Sequence, residues 1–175
     1  LYQRGLEDAD RAMATLVARR PALFKEGRDR EAVLDEAMKN PGLPPDVILI
    51  KAVTASESAR TTISYMRDDW RGAIRQGEIA RRHFRDVLPA LVLAPEREQI
   101  SYHEGLAFVT LMLGDARLRL GEVAAGRALL EESRPAFARA RLAFGDLIAE
   151  GLIAWSSILE GDYAKGTAMY KANLA

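Results

Sequence analysis

The sequence predicts an all-α fold, a solenoid of antiparallel helix pairs with a unit of about 40 residues. Three observations predict it. Ala, Leu, Arg and Glu, all good helix formers, dominate the chain. No stretch alternates apolar and polar residues between hairpin turn signals, as strands would. One short motif led by Gly or Asp recurs four times, and recurrence at a fixed period is the signature of stacked supersecondary units.

In chain order, helices are expected at 5–19, 28–39, 45–66, 69–86, 96–119, 122–133, 136–160 and 162–174. Pro21 interrupts the stretch 20–27. Pro41-Gly42-Leu43-Pro44-Pro45-Asp46 stops one helix and restarts another, because proline lacks an N–H and disfavours helix before it. Pro89 and Pro95 bracket Ala90-Leu91-Val92-Leu93-Ala94, too short for a full helix, so an inserted linker is expected near 87–96. Pro135 is read as opening or kinking a long helix after Arg134. Residues 1–175 form one helical repeat domain. A start at Leu1 and an end within a helical pattern at Ala175 suggest a piece of a longer chain.

The four motifs are Gly27-Arg28-Asp29-Arg30-Glu31-Ala32, Asp68-Asp69-Trp70-Arg71-Gly72-Ala73, Gly121-Glu122-Val123-Ala124-Ala125-Gly126 and Gly161-Asp162-Tyr163-Ala164-Lys165-Gly166. They begin at 27, 68, 121 and 161, at intervals of 41, 53 and 40, and the linker absorbs the longer interval. The first residue suits a left-handed helix end. An acid next suits the start of the following helix, through capping and the dipole. Trp70, Val123 and Tyr163 are expected to wedge between helices. Ala32, Ala73, Gly126 and Gly166 are small so that two helices can approach closely, with Gly114 facing Gly126.

Leu113-Gly114, Gly121, Gly126 and Leu130 resemble the tetratricopeptide pattern. So do Ala154, Gly161, Asp162, Tyr163, Gly166 and Tyr170. Arg117 and Ser157 stand where that family usually has an aromatic, Thr61 stands at a small position, and the first unit lacks a long first helix. The long unit and the run Leu111–Ser133 resemble the helical sensor region of large ATP-dependent bacterial transcriptional activators of the LuxR superfamily, the type that includes the maltose-regulon activator. That resemblance implies a cytoplasmic sensor module. It would bind a small-molecule effector or a regulatory protein and pass the signal on through self-association. DNA would be bound only by a separate domain.

The resemblance also implies a binding face. In the tetratricopeptide template the groove positions lie two, three and six residues before the turn residue. They fall on Thr62, Tyr65 and Met66, on Asp115, Leu118 and Arg119, and on Trp155, Ile158 and Leu159. Ser58, Leu111 and Gly151 lie one turn further up. Ser58, Thr62, Tyr65, Asp115, Arg119 and Trp155 are the candidate contacts. Trp70, Tyr163 and Tyr170 are assigned to inter-helix packing.

No catalytic residues, metal site or cofactor are expected, and the chain is read as a binding module, not an enzyme. It has no cysteine, which removes disulfides and thiolate ligands. His103-Glu104 lacks a second His one turn on, where Ala107 stands, so it is not a zinc-protease motif. There is no phosphate loop, dinucleotide fingerprint or nucleophile elbow. Asp46, Glu57, Asp115, Glu150 and Asp162 are scattered acids, read as solvated or capping. Arg81-Arg82-His83 with Arg85 is the densest basic cluster, read as the cationic end of a helix in preference to a grip on phosphate. Net charge is zero, without the basic excess of a generic nucleic-acid or anionic-membrane binder. No apolar run approaches the ~20 residues of a membrane span.

Overall fold

The computed structural model describes Arg11, residues 47–87 and residues 96–173. Apart from Arg11, which is helical, the helices expected at 5–19 and 28–39 lie outside the described residues. So do the Gly27–Ala32 motif, the Pro41–Asp46 break and the Pro89–Pro95 linker. The described residues form six α-helices and no strand. They are α1 (Val47–Met66), α2 (Trp70–Val87), α3 (Glu96–Arg119), α4 (Val123–Arg139), α5 (Ala143–Leu159) and α6 (Tyr163–Asn173).

Four helix ends are built alike. Asp68, Gly121, Arg141 and Gly161 adopt positive φ, at 57°, 81°, 59° and 87°. After each, the next N–H returns to a carbonyl five residues back: Asp69 to Ser64 at 3.0 Å, Glu122 to Arg117 at 2.9 Å, Leu142 to Phe137 at 3.0 Å and Asp162 to Ser157 at 3.0 Å. The left-handed residue's own N–H bonds three back in every case. These are Schellman ends, which satisfy the orphan carbonyls of the last helical turn. Capping completes two of the following helices. Asp69 Oδ1 accepts the Gly72 N–H at 2.8 Å, and Asp162 Oδ1 accepts the Lys165 N–H at 3.0 Å. Glu122 caps nothing with its side chain. It pairs back with Arg117 at 2.5 Å instead.

The expected helices 122–133 and 136–160 are redrawn by the third turn. Pro135 lies inside α4, and the break falls at Ala140–Leu142. A mid-helix proline removes one N–H from the ladder and crowds the preceding turn. Here Pro135 is exposed, and so is Glu131, whose carbonyl loses that N–H. The turn is held from the other side by Phe137. Its ring fills the space a Cβ on Gly145 would need, 2.2 Å from that position.

Each helix packs on the next, and in addition α1 meets α3 and α3 meets α5. Among the described residues α2 and α4 have no comparable backbone approach, and neither have α4 and α6. The odd-numbered helices therefore form one closely packed layer. Long side chains bridge the even ones: Arg81 and Arg85 of α2 both close on Glu132 of α4, at 2.5 and 2.8 Å. Between the layers lie two apolar clusters. One joins Ala80, Phe84, Tyr102, Val109, Leu113 and Leu129, and the other is built around Ala107, Leu111, Leu118, Leu130, Phe137 and Ile153. The small residues sit where close approach was expected. A Cβ on Gly126 would lie 2.7 Å from the Gly114 carbonyl oxygen, and one on Gly166 would lie 2.8 Å from that of Ala154. Tyr163 differs from expectation: it is 67% exposed and wedges between no helices.

Candidate functional site

Four of the six candidate residues come together where α1, α3 and α5 end. Tyr65 in the last turn of α1 donates its O–H to Asp115 Oδ2 of α3. Asp115 is 1% exposed, so it is a buried carboxylate and not the solvated acid expected. Burial raises the pKa of the Tyr65 phenol well above its usual value, and the bond to Asp115 raises it further. One helical turn after Asp115, Arg119 turns its Nε towards the same carboxylate, 3.4 Å from either oxygen.

The aromatic rings complete the arrangement. The Arg119 guanidinium carbon lies 5.2 Å from the centre of the Trp70 ring and 5.3 Å from that of Trp155. Trp70 in turn meets Tyr65 edge to face at 5.3 Å. Charge-assisted bonds usually measure about 2.7–2.9 Å, so the ion pair to Asp115 is long. The two rings do more to position Arg119, each such contact contributing about 0.5–1 kcal/mol at a partly exposed site. With 44% of its side chain exposed, Arg119 remains open to solvent.

Trp70 is the member that the sequence reading placed in helix packing alone. It packs on Tyr65, and it also forms one wall of the site. The signal was its place five residues after Tyr65, across a tight turn that returns the chain beside itself. Ser58 and Thr62 are not drawn in. Their hydroxyls donate to the carbonyls of Thr54 and Ser58 in their own helix, at 2.7 and 2.9 Å, and Thr62 also reaches Met112 Sδ at 3.7 Å. Such back-bonding satisfies hydroxyls in a half-buried helix. Leu118 and Leu111 are buried at 2% and 8% exposure, so those two groove positions belong to the core. Met66 and Leu159 are exposed, and Leu159 shares a helix face with Trp155, four residues before it.

The remaining polar clusters serve packing. Arg81 and Arg85 of the basic cluster are neutralised by Glu132, and His83 beside them is buried. Arg117, at an expected aromatic position, pairs with Glu78 at 3.0 Å as well as with Glu122. At the other such position Ser157 accepts from Arg127 at 3.2 Å, and the same guanidinium reaches Ser156 and Glu160. Arg134 ties Asp146 and Glu150 of α5 to α4. Half-buried His103 has its pKa lowered, first by burial and then by the charge of Arg139. Among the described residues no three His, Asp or Glu side chains group as a metal ion would require, and no helix is long and apolar enough to cross a membrane. A scan against protein-family models, a search of curated proteins and a search of solved structures each returned no match.

Proposed function

We propose that the chain is a tetratricopeptide-like solenoid of antiparallel helix pairs whose odd-numbered helices carry a ligand-binding face. The observation that carries this reading is the Arg119 guanidinium lying over the rings of both Trp70 and Trp155 and beside the Asp115 carboxylate that Tyr65 also bonds. Aromatic walls around a few fixed polar groups are the usual make-up of a recognition site. The turns at 121, 141 and 161 and the α1–α3 and α3–α5 contacts support the solenoid. Binding suits the chemistry better than catalysis. Tyr65 holds its proton more tightly than usual, which makes it a poor acid, and Asp115 is already engaged by Tyr65 and Arg119.

In this reading the module senses a small effector or a regulatory protein within a cytoplasmic transcriptional regulator of the LuxR type. It transmits binding to self-association, while DNA is bound by another domain. The test is sedimentation velocity of the full-length protein with and without candidate effectors, in wild type and in W155A. An effector that changes the association state only when Trp155 is present supports the reading. An association state that responds equally in both proteins refutes the role of this face. A second reading is a protein-docking scaffold without a small effector, favoured by the exposed Phe144 and Leu147 on the first turns of α5, at 73% and 47% exposure.

A further inference from the structure

We propose that the outer edge of Arg119 is the receptor for a monocarboxylate with an apolar body; this names the ligand class of the binding face and rests on that reading. The guanidinium carbon lies over both indole rings, at 5.2 and 5.3 Å from their centres, and its Nε is turned to Asp115. Among the described residues, neither Nη of Arg119 donates a hydrogen bond. Other arginines of these helices are spent differently. Arg81, Arg117, Arg127 and Arg134 each close at least one Nη on a carboxylate of a neighbouring helix or turn. Arg119 thus lies against two rings, is fixed in direction by a buried acid, and keeps the N–H donors of both Nη for a ligand. That fork matches the two oxygens of a carboxylate.

The surroundings select the charge and the body of the ligand. Asp115 lies 3.4 Å from Nε, and Asp68 is close enough to act on the Tyr65 phenol. Asp115 already balances Arg119, so a dianion such as phosphate would leave the site with two uncompensated charges and a monoanion with one. Met66, next to Tyr65 in the last turn of α1, and Leu159, one turn after Trp155 in α5, are 57% and 43% exposed and offer apolar surface at the ends of these helices. The carboxylate belongs either to a free aliphatic acid or to the C-terminus of a peptide ending in an apolar residue.

Both tryptophans of the chain stand at this site, so the share of the emission excited at 295 nm that is lost in W155A reports on it. Full-length protein is titrated with sodium octanoate, with octylammonium chloride and 1-octanol as charge controls. An acetylated tetrapeptide ending in leucine is added as free acid and as amide. Octanoate is expected to change the emission saturably, with octylammonium and octanol weaker by about tenfold or more, the worth of one charge-assisted hydrogen bond. R119K keeps the charge but loses the fork, and is expected to weaken octanoate by a similar factor at a temperature where its thermal melt shows it fully folded. A free-acid peptide that outcompetes octanoate assigns the carboxylate to a chain terminus, and the reverse order assigns it to a free acid. Equal response to octanoate and octylammonium, unaltered affinity in R119K, or no response to any carboxylate overturns the proposal. The wider binding-face reading is then still judged by the effector dependence of sedimentation in W155A.

Discussion

Asp115 is the residue on which the site turns. It is buried, it accepts the Tyr65 hydrogen bond, and it faces the Arg119 Nε. Replacing it by alanine strands a half-buried phenol and removes the counter-charge of Arg119. D115A should therefore cost about 1–3 kcal/mol, read from the urea midpoint, and D115N less, because an amide oxygen still accepts from Tyr65. Tyr65 makes stability pH-dependent on the alkaline side. Its folded pKa is raised above the unfolded value of about 10, so its contribution is complete below that pH and is lost as pH rises towards the folded value. The urea midpoint of wild type should then fall more steeply above pH 10 than that of Y65F. His103 acts at the other end. Its folded pKa lies below the usual 6.5, so its contribution is present above that pH and lost as pH falls. H103Q should flatten the decline in stability between pH 7 and pH 5. The sequence located Asp115 by its offset from Gly121. That Asp115 is buried and shared by Tyr65 and Arg119 depends on residues 50 and 4 positions away, and only packing reveals that.

At the scale of helices and turns, legibility followed backbone chemistry. Asp68, Gly121 and Gly161 announced their turns because Gly, and next to it Asp, tolerate left-handed φ. Arg141 gave no such sign, and Pro135 pointed to the wrong break. Arg141 is held at φ 59° by the Phe137 contact with Gly145 and by the half-buried Leu142, not by its own preference. Relieving that strain with R141G should raise stability by about 0.5–1 kcal/mol, after allowance for the added freedom of the unfolded chain. The exposed pair of Arg141 with Glu96 offsets little of this. The two kinds of glycine should also differ in cause. In G126A the new methyl meets the Gly114 carbonyl and Leu118, an overpacking cost of about 1–3 kcal/mol that G114A should share. In G121A nothing lies within 4 Å, and the cost of about 1–2 kcal/mol is the left-handed backbone alone. Thermal melts of the two variants, each compared with a glycine-to-serine change at the same site, separate volume from backbone strain.

Across the whole molecule, protection against unfolding should be graded. α3 contributes to both apolar clusters, whereas α6 buries only Gly166. Local opening energies rise with buried contact, so amides of α6 should exchange first and those in the middle of α3 last in native-state hydrogen exchange. Uniform protection across the six helices would contradict this. The all-helical class was legible because composition and the recurring turn agree. The approach of α1 to α3 and of α3 to α5 has no counterpart in local sequence, since it joins side chains some 50 residues apart.

The shared shape of the helix ends bears on how such a chain can change in length. Gly121 and Gly161 stand 40 positions apart, each left-handed and each followed by an acid whose N–H turns back to close the same ring. A recombination event that joins Gly121 to Asp162 would delete residues 122–161 and leave a junction that already folds as a turn. A duplication between the same points would be equally silent to the backbone. Only the deletion would be felt at Arg119, which would lose one of its two indole neighbours. Selection on the site, as well as on the second apolar cluster, would then limit how far the chain can shrink.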